Sequence, residues 1–179
     1  MPPSVLGVPA PTPRDAQRAR VYRAEDAWAA QLDAARLGAQ LATVGGSGVL
    51  LPAERRLGSL AAAGDYAARV LALPAVRAAF GEVEAPRLRT RRGAGRAHWE
   101  PPGTIALPVP AHGEPWALRE TVLLHELAHH LAERSGRARG HRAPYPAVVL
   151  LLTTAVLGEE AALALRVAYG EQRVEVGSL

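Results

Sequence analysis

Two histidines four positions apart bracket a glutamate in His125-Glu126-Leu127-Ala128-His129. On a helix such positions share one face, about 5–6 Å apart at Cβ, so two imidazoles can converge on one metal ion. Glu126 sits one residue past the first histidine, offset enough to reach a metal-bound water without ligating the metal. The H-E-x-x-H pattern therefore points to hydrolysis by metal-activated water, with two Zn²⁺ ligands and a general base on one helix.

Such a site needs a third protein ligand and leaves the fourth position for water. The extended pattern with a further glycine and histidine is excluded, because the chain has Ala132 and Ser135 at those places. Glu159 or Glu160, on a later helix, could serve. His141 is the favoured candidate, since Ser135-Gly136-Arg137-Ala138-Arg139-Gly140 is a helix stop and flexible turn that can return it to the metal. Tyr145 and His98 are candidates for the donor that steadies an oxyanion. His130, one residue past a ligand, is expected to point away from the metal, on the surface or behind the ligands.

The element carrying the motif must be a helix anchored in a core. Trp116–Leu131 contains neither proline nor glycine, and Val122, Leu123, Leu127, Ala128 and Leu131 supply an apolar stripe. Pro115 suits a first helical position and Gly136 a stop. Upstream, residues 1–13 read as a disordered proline-rich lead-in, and 14–179 as one domain. Arg14–Leu41 is expected to be helical, broken by Val44-Gly45-Gly46-Ser47-Gly48. Helical stretches follow over Pro52–Ala62, Tyr66–Leu73 (capped by Asp65 after Gly64) and Pro74–Phe80. Pro86–Arg92 and Ala94–Trp99 alternate like a hairpin around Gly93, and Thr104–Val109 is a third strand. An edge of this sheet could bind an extended peptide beside the metal. Helices at Tyr145–Leu157 and Glu159–Tyr169 close the chain. The expected class is α+β, mainly helical, with a sheet of about three strands before the metal-binding helix.

With 49% hydrophobic but only 4% aromatic residues, the core must be built from Ala, Leu and Val, which favours helices. Absence of cysteine excludes disulfides and thiolate zinc sites. The longest apolar run, Ala147–Leu157, is too short to span a bilayer, so no membrane is expected and the location is expected to be cytoplasmic. Arginine clusters at 87–96 and 134–142 raise nucleic acid as a partner, but no interleaved aromatics support base stacking.

The chain also resembles the small actinobacterial metallohydrolases named for their H-E-x-x-H motif. The resemblance runs from Arg14-Asp15-Ala16-Gln17-Arg18-Ala19-Arg20-Val21-Tyr22 through VLLHELAHHL to Leu165-Arg166-Val167-Ala168-Tyr169. That family is similar in turn to SprT-like and other compact zincins, whose third ligand is commonly a downstream histidine. The resemblance implies zinc and a zincin-like fold. The expected activity is that of a zinc metallopeptidase acting on a peptide or protein substrate, with Glu126 as base and His125, His129 and His141 as ligands. A zinc-stabilised binding module, associated with nucleic acid, and a small-molecule amidase are the alternatives.

Overall fold

The computed structural model describes residues 15–93, 95–108 and 116–179. The lead-in expected over 1–13 and Pro115 lie outside the described residues. Helix α1 (Arg18–Arg36) forms because Val21, Ala24, Trp28, Leu32 and Ala35 recur at helical spacing, and all five are buried. It is shorter than expected. Gly45 and Gly46 take φ of +56° and +83° between two short antiparallel strands, β1 (Leu41–Val44) and β2 (Ser47–Leu50). Two left-handed residues are what a type I′ hairpin turn requires, so the glycine run makes a hairpin rather than a plain helix break.

No helix begins at Pro52. Helix α2 (Leu60–Leu71) begins after Ser59, whose hydroxyl accepts from the Ala62 N–H at 3.1 Å. Gly64 and Asp65, expected as a break and a cap, lie inside it. Helix α3 (Pro74–Phe80) starts on its proline as expected.

The sheet comprises β3 (Arg87–Arg91), β4 (His98–Glu100) and β5 (Thr104–Pro108), and its strand order is not the expected one. Strand β5 lies in the middle, antiparallel to β4 with Trp99 opposite Ile105, and parallel to β3 with Leu88 opposite Ile105. The hairpin around Gly93 does not form, since β3 and β4 occupy opposite edges. Burial explains the choice. Ile105, Ala106 and Leu107 are consecutive and all fully buried, whereas β3 alternates arginines that need water or counter-ions.

Helix α4 (Glu120–Arg134) begins one turn later than Trp116. Its start is fixed by an isolated strand-like bridge, in which Leu57 N–H bonds Leu118 O at 2.8 Å and Glu120 N–H bonds Arg55 O at 3.1 Å. Helices α5 (Tyr145–Leu157) and α6 (Glu159–Glu171) follow where expected. Helix α1 packs on α6, α6 on α5 and α5 on α4, while β4 covers the other side of α4. The Trp28 indole N–H donates to Ala161 O at 3.0 Å, tying α1 to α6. The architecture is α+β and mainly helical, and no described helix is long and apolar enough to cross a membrane.

Candidate metal centre

Helix α4 is buried on nearly every face, so its polar residues cannot rely on water. His125 and His129 lie one turn apart on it, and the return loop brings His141 to them. The three rings offer nitrogens that all lie within 4.8 Å of one another, and this is the group suited to a metal among the described residues. His125 Nε2 and His141 Nε2 are 3.4 Å apart. Two Zn–N bonds of 2.0–2.1 Å at a tetrahedral angle span about 3.3 Å, so the separation fits a shared ion. Glu159 and Glu160, the other third-ligand candidates, stand exposed at the start of α6 and are not part of this group.

A second layer of carboxylates orients two of the rings. His125 Nδ1 meets Glu25 Oε2 at 2.5 Å, and the Tyr169 hydroxyl donates to the other oxygen of Glu25 at 2.6 Å. His141 Nδ1 meets Asp15 Oδ2 at 2.8 Å, and the same oxygen accepts the His141 backbone N–H at 2.8 Å. Gly140 makes this approach feasible: it has φ of +63°, and a Cβ there would lie 2.7 Å from Asp15 Oδ2. When each neutral ring donates its Nδ1–H to a carboxylate, both Nε2 atoms become bare acceptors facing each other. A cation between them resolves that conflict. His129 Nδ1 faces Glu133 at 3.9 Å, a looser contact.

The electrostatics favour a neutral ring at two of the three histidines. Burial, then the neighbouring His125 and His141, hold His129 well below the usual histidine range. Burial and His125 also lower His141, with Asp15 opposing. Burial acts downward on His125 as well, but there the Glu25 carboxylate outweighs it and the net shift is upward. Burial raises Glu126, against the pull of His125, His98 and the Trp99 backbone N–H. Glu126 is only 2% exposed, and its Oε2 has no hydrogen-bond partner. Beside the triad, a cleft of about 140 Å³ is lined by Tyr22, His125, Glu126, Trp28, Trp116 and Val122, among others.

The remaining predicted residues are placed as follows. Tyr145 is fully buried beneath the triad, its ring stacked on His129 at 4.3 Å and its hydroxyl donating to His125 O at 3.2 Å. His98, on β4, is bound on one ring nitrogen by Arg91 at 2.9 Å and on the other by Glu100 at 2.8 Å. His130 points away from the triad but is 1% exposed, not a surface residue. It accepts the Trp99 indole N–H at 3.1 Å and bonds Glu84 O at 2.8 Å, pinning β4 to α4. Much of the arginine clusters is engaged internally: Arg89 with Glu100, Arg96 with Asp26, Arg134 with Pro102 O and Arg137 with Ala79 O.

Sequence reasoning missed Asp15, Tyr22 and Glu25. Their signal is a polar stripe, Asp15-Arg18-Tyr22-Glu25, at helical spacing beside the buried stripe of α1. No protein-family model matches the chain, and neither a curated protein nor a solved structure is similar to it.

Proposed function

We propose that the protein is a zinc-dependent hydrolase with a zincin-like core, acting on amide bonds in peptide or protein substrates, in keeping with its resemblance to the H-E-x-x-H metallohydrolases. One observation carries this reading: the buried Glu126 carboxylate, with an unpartnered oxygen, adjoins His125 of the three converging imidazoles and lines a cleft together with it. His125, His129 and His141 would hold the ion. When bound, Zn²⁺ polarises a substrate carbonyl and lowers the pKa of a coordinated water towards about 7.

The chain's own groups do the rest. Glu126 accepts the proton of the attacking water and returns it to the leaving nitrogen; its upward-shifted pKa suits a group that must both take and give. Glu25 and Asp15 keep the ligand rings oriented. Among the described residues β4 pairs only with β5, which leaves an edge where an extended peptide can lie against α4. A zinc-stabilised binding module would call for four protein ligands and for no buried, unpaired carboxylate.

The test is elemental analysis of protein purified without chelators, followed by cleavage of a peptide library. We expect about one zinc per chain, and hydrolysis that falls at least ~10²-fold in Glu126→Gln while zinc is retained. A Glu126→Gln protein that loses its zinc, or keeps full activity, refutes the assignment. Cleavage of small amides but no peptide assigns the amidase alternative.

A further inference from the structure

Hydrolysis of an amide builds negative charge on the carbonyl oxygen, and a donor must meet it. The two donors expected from sequence are committed elsewhere: the Tyr145 hydroxyl to a backbone carbonyl, and both ring nitrogens of His98 to Arg91 and Glu100. A third group is not. The Tyr22 ring stacks on His125 at 5.2 Å and 19°, and its centroid is 4.9 Å from that of His141. The three imidazoles therefore lie between two tyrosines, Tyr145 on the closed side and Tyr22 on the side of the cleft that His125 and Glu126 also line.

Resting on the hydrolytic reading above, we infer that Tyr22 is a catalytic residue whose hydroxyl donates a hydrogen bond to the oxyanion. Its surroundings leave that proton free. Arg18, one turn earlier on α1, lies beside the ring, and a guanidinium can only donate. Among the described residues no acceptor takes the Tyr22 O–H. The ring itself is held by cations, with the Arg96 guanidinium 4.3 Å from its centroid and that of Arg18 at 5.5 Å. Arg96 is fixed in turn by Asp26 at 2.9 Å.

In the reaction, the water oxygen bonds to the carbonyl carbon while the C=O π pair moves to oxygen and the water proton moves to Glu126. That pair re-forms the carbonyl as the C–N bond breaks and the proton passes to nitrogen. Tyr22 keeps its own proton throughout and only donates a hydrogen bond.

The experiment compares wild type with Tyr22→Phe, which removes the hydroxyl and keeps the ring on the imidazoles. Cobalt(II)-loaded protein is titrated with acetohydroxamate, a chelator whose carbonyl oxygen stands in for the oxyanion, and followed by visible absorption. The variant should bind cobalt as wild type does but acetohydroxamate about tenfold more weakly. With a cleavable peptide, kcat should fall ~10²-fold with KM little changed. Unchanged acetohydroxamate affinity and kcat would overturn the inference while leaving the hydrolase reading intact. Loss of cobalt from the variant would also overturn it, by making Tyr22 a ligand or a support for the ligands. A wild-type chain that takes up no metal sinks both.

Discussion

Two buried glutamates on α4, six residues apart, meet opposite surroundings. Glu120 is fully buried, and donors surround its carboxylate: the Arg55 backbone N–H on Oε2 at 2.9 Å, the Arg55 guanidinium on Oε1 at 2.9 Å, and the Tyr66 hydroxyl on Oε1 at 2.6 Å. Around it, Arg119 bonds Glu54 and Asp33, closing the first turn of α4 against the segment before α2. Glu126 is nearly as deeply buried, yet its Oε2 has no partner. A buried carboxylate whose donors are all in place stabilises; one left wanting is poised to react.

Substitutions can break this contrast. The largest effect should come from His125→Ala combined with His129→Ala, which takes zinc from about one per chain to none by elemental analysis while leaving the Glu120 cluster untouched. Next, Glu120→Ala should cost about 2–3 kcal/mol in denaturant unfolding, because it strands the buried Tyr66 hydroxyl and removes an acid from the first turn of α4. Zinc stoichiometry of the folded protein should not change. Glu25→Gln and Asp15→Asn should each weaken zinc affinity about 10–100-fold in a competition with a chelator, the usual effect of removing a carboxylate behind a ligand histidine. Glu126→Gln, measured on metal-free protein, should leave stability unchanged or raise it by about 1 kcal/mol, opposite in sign to Glu120→Ala. The smallest effect belongs to Glu159→Gln and Glu160→Gln, with no measurable change in zinc affinity. A loss there would reopen the choice of third ligand.

The parts legible in sequence were those whose information is local. His125, Glu126 and His129 share one helix turn, and α3, α5 and α6 announce their starts by a proline or a glycine next to an apolar run. His141 was readable because a glycine-containing stop and return precede it. Strand order was not, since alternation in β3 and β4 says only that each is a strand. Which of the three takes the middle depends on burial against α4 and the helices behind it. Asp15 and Glu25 were invisible for a similar reason. An acid on a helix face, as Glu25 is, or just ahead of one, as Asp15 is, reads as solvated until the fold brings it to a histidine 100 or 126 residues away.

Those separations also set when the site can come into being. Glu25 awaits His125, Asp15 awaits His141, and Tyr169 must arrive before Glu25 is fully held. Gln17 then bonds both the carbonyl of His141 and the backbone of Glu175, the latter across 158 positions. Contacts this remote form late in folding, because the intervening loop must close before they stabilise anything. The three imidazoles therefore take their final places only once α6 and the segment around Glu175 have packed back against the start of the described chain, so the geometry of the triad is a property of the whole fold and not of α4 by itself.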